Sequence, residues 1–411
     1  MPGKFVATYS EVALKGNNRQ EFVRSLRSGI NRALHGIEHK VAMTEGRFVI
    51  DAAGEEAEVM NRLSRVFGIS WYAPVKIVPA DYQSILDSVL EEARGAPEGT
   101  FRIAPRRADK TFPIGSQELG TRLGAAVVKA TGRTVNLSDP STTIHVDVTR
   151  RGALVYANRA KGPGGLPLGT AGRSMHLFSG GIDSPVAAWL MMKRGTRPVY
   201  LHFYLAPTPR GAIESKITTL VKILSAYGGK STLVLVPFAQ YQLATAGVPG
   251  EMEPCLFRRF MRMTAEALAP MFEAAAISTG DSLSQAASQT LWNIASFDDG
   301  SSLPVLRPLL TYDKEEIISL ARRIGTYEPS LGEYKDCCAI ITRHPRTRLR
   351  GSVISDLVDK YGLRDLAART LEDATLVTYN PTGDVLKAAP LRESMPALGV
   401  TPHPSSNASQ L

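Results

Sequence analysis

Apolar side chains recur along this chain with two periods, and the change of period divides it. Residues 5–10 alternate apolar and polar as a half-buried strand does. Residues 18–34 then carry Phe22, Leu26, Ile30 and Leu34 at helical spacing. A returning strand is predicted at 47–51 and a second helix at 56–66. A further small unit follows, with helices at 82–94 and 116–131 and strands at 100–104, 143–148 and 154–158. Beyond residue 173 the texture changes. Short apolar runs at 174–178, 198–204, 232–236 and 274–278 have the composition of buried parallel strands. Amphipathic stretches at 185–194, 212–227 and about 255–268 separate them. This alternation predicts an α/β fold: a doubly wound parallel sheet, with ligands at the strands' carboxyl ends, preceded by two small α+β units.

The boundaries fall where glycine and proline forbid regular structure. Residues 161–169 (Lys-Gly-Pro-Gly-Gly-Leu-Pro-Leu-Gly) read as a linker, because no Gly-Lys-Ser/Thr follows to make a phosphate loop of them. The expected division is therefore 1–58 and 59–161 for the two small units, 162–172 for the linker and 173–375 for the parallel-sheet domain. Residues 376–411 are expected to form an extension and a tail rich in Pro, Ser, Ala and Asn. A chain of 411 residues is too long for one ordinary core. Without an 18-residue apolar run or a signal-peptide h-region, it is expected to be cytoplasmic and away from membranes. Three cysteines (Cys255, Cys337, Cys338) exclude a disulfide framework and a paired CxxC zinc site. No metal cluster is legible among the histidines. The net charge of +9 is weighted towards the first part, with 23 Lys+Arg against 17 Asp+Glu before residue 173, and it fits a polyanionic partner.

The sharpest chemical signal is Ser179-Gly180-Gly181-Ile182-Asp183-Ser184-Pro185, lying between a predicted strand and a predicted helix. The glycines are expected to adopt positive φ and let successive N–H groups face one anion, aided by the helix dipole. Asp183 or Ser184 is expected to cap the helix, with Pro185 in its first turn. Asp183 cannot favour an anion directly, so its roles are the cap or a Mg²⁺ ion. A Walker lysine is missing, which points to cleavage of ATP into AMP and pyrophosphate. Arg102, Arg106, Arg107 and Lys110 cluster beside Phe112. Guanidinium forks suit phosphates, although a solvated strand edge explains the spacing equally well. Cys337 and Cys338 precede Arg343, His344, Arg346, Arg348 and Arg350, cations that favour a thiolate or persulfide and attract RNA. Two inert buried cysteines are the alternative. Cys255, in a Phe/Met-rich helix, reads as packing.

Taken together these residues resemble a known family. The 179–185 loop is the pattern of the PP-loop ATP pyrophosphatases, which adenylate a substrate carbonyl oxygen. Residues 279–291 (Thr-Gly-Asp-Ser-Leu-Ser-Gln-Ala-Ala-Ser-Gln-Thr-Leu), 304–309 and 324–328 are similar to those of the tRNA 4-thiouridine synthetase family. Residues 9–16, 110–113 and 164–169 fit it too, in the same order, over nearly the whole chain to about residue 370. The resemblance implies an N-terminal ferredoxin-like domain, a THUMP domain that grips tRNA, and a PP-loop domain that uses ATP and Mg²⁺. It makes Arg102, Arg106, Arg107 and Lys110 RNA contacts. Leu177, Phe178, His202, Phe203, Arg258, Gly280 and Gln289 become nucleotide-binding positions beside Ser179, Gly180, Gly181, Asp183 and Ser184. Catalysis falls to Asp183 and to Cys338, which matches the sulfur-carrying cysteine. The implied reaction replaces O4 of a tRNA uridine, at position 8 in the family, by sulfur through an adenylated intermediate. Implied partners are tRNA, a cysteine desulfurase as sulfur donor, a thiamine-pathway sulfur carrier and a second copy of the chain. Some members continue into a rhodanese-like domain with its own persulfide cysteine; here about 70 residues without cysteine follow Cys338. Sulfur is then expected to reach Cys338 directly. The thiamine role and the resolving thiol (Cys337, Cys255 or an external reductant) stay open. A non-catalytic tRNA-binding protein with a vestigial loop is the rival reading.

Overall fold

The computed structural model describes residues 3–334, 337 and 345–394. The chain forms two compact units, Met1–Pro167 and Leu168–Leu411.

The first unit holds β1 (Gly3–Thr8), α1 (Arg19–Ala33), β2 (His39–Thr44), β3 (Arg47–Ala52), α2 (Glu56–Leu63), β4 (Trp71–Pro74), β5 (Lys76–Val78), α3 (Tyr82–Gly95), β6 (Phe101–Arg107), α4 (Ser116–Thr131), β7 (Thr142–Thr149), β8 (Gly152–Ala157) and β9 (Ala160–Lys161). Two sheets result, in the orders β2-β3-β1-β4-β9 and β5-β8-β7-β6. On α1, Leu26 and Ile30 are fully buried one turn apart against Phe5, Phe48 and Ile50. On α4, Leu119, Leu123 and Val127 do the same against Phe101 and Val146. Each such side chain stabilises the fold by about 1.5–3 kcal/mol relative to leaving it in water. Gly132, at φ 70°, ends α4 in the left-handed conformation that glycine tolerates best. Strands β2, β4 and β5 escaped the sequence reading. They are three to six residues long and carry too few alternations to give a period.

The second unit continues with β10 (Arg173–Leu177), α5 (Asp183–Lys193), β11 (Arg197–Tyr204), α6 (Pro209–Ile213), α7 (Lys216–Gly228), β12 (Ser231–Pro237), α8 (Ala239–Ala244), α9 (Glu253–Leu268), β13 (Ala274–Ser278), α10 (Leu291–Asp298), β14 (Val305–Leu306), α11 (Lys314–Ile324), α12 (Tyr327–Leu331), α13 (Gly351–Lys360), α14 (Leu363–Arg369), β15 (Thr375–Tyr379), β16 (Val385–Pro390) and α15 (Leu391–Ser394). One sheet runs β14-β13-β10-β11-β12-β15-β16. Its first five strands are parallel, and β15 and β16 add an antiparallel edge. The sheet thus reaches past residue 375. Val377 and Tyr379 are buried, which the short apolar run alone did not announce.

One predicted helix, 212–227, is two. Ser215 interrupts it: its hydroxyl accepts from the Ile217 N–H at 3.2 Å and donates to the Ala212 carbonyl at 2.6 Å, so α7 restarts with its own cap. The core of this unit joins Val199, Leu201, Val234 and Val236 of the strands to Phe257 and Phe260 of α9. The chain winds from β10 through β11 to β12, then returns to lay β13 on the other side of β10. The winding direction reverses between β10 and β13, and the loops leaving those two strands bound a crevice at the carboxyl edge.

Candidate active site

The Ser179–Ser184 loop leaves β10 at this switch point, and its shape comes from serine. The Ser184 hydroxyl accepts from the Ser179 N–H at 2.9 Å and donates to the Ser179 carbonyl at 2.8 Å. The Ser179 hydroxyl adds a bond to Ser184 Oγ at 3.2 Å and accepts from the Gly181 N–H at 3.4 Å. Two expectations are corrected here. Neither Asp183 nor Ser184 caps α5; Ile182 holds the cap position and supplies no side-chain cap bond, while the Ser184 hydroxyl is engaged with Ser179. Gly180 and Gly181 do not adopt positive φ. A Cβ on Gly180 would lie 2.7 Å from Lys216 Cε, a contact that the flexible lysine end can yield to. Gly280, just past β13, is held by backbone instead. A Cβ there would lie 2.9 Å from the backbone N and Cα of Ser184, so this residue locks the second loop against the first.

Beneath the loop, His176 of β10 is fully buried. Its Nε2 donates to the Ser184 carbonyl at 2.9 Å, leaving Nδ1 to accept from the Ser278 hydroxyl at 2.8 Å. Burial pushes its pKa down to about 4, outweighing the bond to Ser184, so the ring is a neutral strut between β13 and α5.

The loop carries no lysine, yet the fold brings two to it. Lys314 opens α11, whose start is set by a capping box between Asp313 and Glu316. Its Nζ lies 2.6 Å from Asp183 Oδ1, while Gln285 donates to Asp183 Oδ2 at 2.6 Å. Lys216 opens α7 beside Gly180 and donates to the Ser330 carbonyl at 2.7 Å. Asp183 therefore organises the rim of the loop by holding a cation and an amide. The sequence reading missed Lys216, Lys314 and Gln285, since nothing local marks residues that meet the loop from 36 to 131 positions away.

The other positions expected to bind nucleotide divide into two groups. At the ends of β10 and β11, Phe178 and Phe203 are buried and face the core. The Phe203 ring lies 5.5 Å from that of Phe257, edge-on, and Phe178 lies 4.9 Å from Tyr200. The Phe178 N–H donates to the Leu201 carbonyl at 2.8 Å, so it is not available to read an adenine edge. Leu177 is half-buried beside the same core. His202 Nδ1 donates to the Phe178 carbonyl at 2.8 Å, and Nε2 faces the Tyr334 hydroxyl at 2.7 Å. Tyr334 also reaches the loop, its Cδ1 3.4 Å from where a Gly180 Cβ would stand. Three residues later the buried Cys337 donates its S–H to the Phe203 carbonyl at 3.1 Å. Tyr334 and Cys337 are thus tied to the end of β11, beside the Ser179–Ser184 loop. Cys338 lies outside the described residues. Cys255 packs in the core, and burial pushes its pKa up to about 11 against the pull of Arg258.

Across the crevice, beyond β13, Arg258 of α9 binds Asp281 at 2.5 Å and Ser288 at 3.4 Å. Arg307 binds the same Asp281 oxygen at 3.1 Å and makes a fork to Asp298 at 2.9 and 2.5 Å. The Phe297 ring lies 5.1 and 5.4 Å from the two guanidiniums. Burial raises the Asp281 pKa, but the two arginines outweigh it and hold the carboxyl below its ordinary value. This ion cluster fixes the segment from Gly280 to Gln289. Gln289 ends that segment with a buried side-chain oxygen lacking a hydrogen-bond partner among the described residues. Such an orphan is expected where a ligand completes the site.

In the first unit, Arg102 of β6 donates to Thr143 Oγ1 at 3.1 Å and the Leu137 carbonyl at 3.2 Å, and Arg107 to the Phe112 carbonyl at 3.1 Å. Arg106 and Lys110 are exposed. No group of three metal-ligating side chains occurs among the described residues, and no described helix is long and apolar enough to cross a membrane.

Comparison with known proteins agrees with this geometry. Residues 169–363 match the family described as thiamine biosynthesis protein (ThiI), residues 4–73 its ferredoxin-like domain and residues 83–158 the THUMP domain. A probable tRNA sulfurtransferase of Moorella thermoacetica is 38% identical over 92% of this chain and 98% of its own length. One from Thermus thermophilus is 38% identical over 94% and 96%. The crystal structure of a 4-thiouridine synthetase–RNA complex with bound ATP superposes with a TM-score of 0.82 at 32% identity, covering 92% of this chain and all of that one. A Pyrococcus horikoshii structure follows at a TM-score of 0.60 and 25% identity, over 79% of this chain and 99% of that one. The chain belongs to the tRNA sulfurtransferase family, with a ferredoxin-like domain, a THUMP domain and a parallel-sheet domain of the ThiI type.

Proposed function

We propose that this enzyme uses ATP to replace O4 of a tRNA uridine by sulfur, giving 4-thiouridine. ATP binds with its phosphates on the Ser179–Ser184 loop, at the uncapped N-terminus of α5 and between Lys216 and Lys314. Uridine O4 attacks the α-phosphorus and pyrophosphate leaves, so that a poor leaving oxygen becomes part of AMP. The outer sulfur of a persulfide on Cys338 then attacks C4, and AMP departs. A second thiol attacks the Cys338 sulfur, which frees the base as 4-thiouridine and leaves a disulfide for reduction. Cys255, buried and with its pKa pushed up to about 11, suits that last step poorly; Cys337 or an external reductant remains. Once Lys314 or Gln285 gave up one of its oxygens, Asp183, the carboxylate of the loop, would hold a magnesium ion beside the phosphates. When bound, it would offset their charge.

The observation that carries this reading is a juxtaposition. Tyr334 on His202 and Cys337 on Phe203 bring Cys337 to the end of β11, next to the strand from which the phosphate loop departs. The relatives' names and the RNA- and ATP-bound neighbour support the same substrates. Arg106 and Lys110, with Arg102 and Arg107, are read as phosphate contacts of the THUMP domain. A desulfurase-type persulfide donor in the cytoplasm, and a thiamine-pathway sulfur carrier as second acceptor, complete the reading. Cys338→Ser should lower 4-thiouridine formation at least a thousandfold, while tRNA and ATP binding and pyrophosphate release persist. Undiminished 4-thiouridine in nucleoside mass spectrometry would overturn the assignment. Binding of tRNA by the wild-type chain without pyrophosphate release would favour a vestigial loop.

A further inference from the structure

Trp292 is 52% exposed on α10, an uncommon position for so large a ring in a well-packed domain. It is not loose. The Arg348 guanidinium stacks 4.0 Å from its ring centroid. The two strands of chain that carry this pair are clipped together by Asn293, a side chain only 2% exposed. Asn293 Nδ2 donates to the Ala287 carbonyl at 2.7 Å and the Arg346 carbonyl at 2.9 Å, and its Oδ1 accepts from the Leu349 N–H at 2.9 Å. Thr290 adds a bond to the Thr347 carbonyl at 2.6 Å. Leu349 is buried beneath. A buried polar clip thus presents a flat aromatic surface backed by a cation.

The surroundings indicate what the surface is for. Arg346, Arg348 and Arg350 are exposed together, and among the described residues only Arg346 of the three forms an ion pair, with Glu251 at 2.6 Å. Leu291, 66% exposed, extends the apolar face. The segment that ends in Trp292 begins at Gly280, against the phosphate loop, and includes Gln289. An aromatic face rimmed by excess positive charge, at one end of the segment that floors the crevice, matches a nucleobase with its phosphates better than an apolar protein partner. We infer that Trp292 and Arg348 form a stacking platform for a base of the RNA substrate, close to the reacting nucleotide. This inference rests on the proposed RNA substrate, and its test separates the two.

Stacking of a base on an aromatic side chain is sequence-tolerant and is lost on truncation to alanine. In the full-length chain, Trp292→Ala should raise both the Kd for an unmodified tRNA transcript and the KM for tRNA about tenfold, leaving the KM for ATP unchanged. Trp292→Phe should recover most of that loss. Arg348→Ala should weaken binding less and reduce the salt slope by about one phosphate contact. Because Trp292 is exposed, the variants should keep the wild-type melting temperature, which serves as the control for folding. Unchanged tRNA affinity in Trp292→Ala, with wild-type thiolation intact, would overturn the platform. Absence of thiolation by the wild-type chain would count against the proposed function instead, and the tRNA-binding curves of the same variants would still decide the platform.

Discussion

Two arginine clusters look alike as residue types and are handled oppositely by the fold. On β6, Arg102 and Arg107 are held by neutral oxygens, of Thr143, Leu137 and Phe112, and Arg106 stands in solvent with Lys110. Asp109 feels the charge of Arg107, but among the described residues no carboxylate forms an ion pair with any of the four, so the strand keeps a net positive field. At the end of β13, Arg258 and Arg307 are 12% and 7% exposed and converge on Asp281, itself 6% exposed, with Asp298 as a second carboxylate. There the charges cancel, and what remains is rigidity in the segment that carries Gly280 and Gln289. The difference is one of neighbours. A guanidinium on carbonyls remains available to an anion by field, whereas one buried on a carboxylate has its charge already neutralised and cannot leave cheaply. Arg258 therefore serves the site first by shaping it.

This contrast can be broken from its stronger side. Asp281→Ala removes the carboxylate shared by two buried guanidiniums, of which Arg307 keeps Asp298, and should destabilise the second unit by about 3 kcal/mol, read from its urea unfolding transition. A loss below 1 kcal/mol would mean that the cluster is not the brace described.

Acid should act next, and in a defined order. His176 has a folded pKa near 4 against an ordinary 6.5, so it resists protonation in the fold. Its contribution is complete above about pH 6.5 and is lost as pH falls from there towards 4. Asp281 has a depressed pKa, so its contribution persists above the ordinary value of 3.8 and is lost only below it. Stability of the second unit measured against pH should thus decline in two stages. His176→Asn should flatten the upper stage alone.

The smallest effect on stability belongs to the exposed set. Arg106→Ala with Lys110→Ala should change stability by less than about 0.5 kcal/mol. Under the proposed function, the same pair should weaken tRNA binding and reduce its salt slope by about 2. Arg102→Ala should fall between the clusters, losing local hydrogen bonds as well as charge.

What was legible in the chain follows from the range of the forces involved. The strand–loop–helix around residues 173–193 could be read because apolar run, small residues and amphipathic helix are consecutive. The reading of α4 as 116–131 matched because three apolar residues recur every fourth position and Gly132 stops the helix. The break at Ser215 was hidden because a serine within an apolar periodicity costs the pattern little, although its hydroxyl restarts the helix. The cap expected of Asp183 and the positive φ expected of the loop glycines are not found, for a similar reason. Caps and positive φ are the local uses of such residues, and here distant partners claim them: Lys314 and Gln285 for Asp183, Lys216 for the space above Gly180.

The sequence by itself determined the fold class, the order of the units, the phosphate loop and the pair of adjacent cysteines, because periodicity and motif are properties of neighbouring residues. Only the tertiary structure decided which arginines pair with carboxylates, which lysines lie against the loop, and that Cys337 lies at the end of β11 beside it. Those outcomes depend on groups brought within hydrogen-bond distance from as far as 134 positions away, where burial and electrostatics act on separation in space and not along the chain.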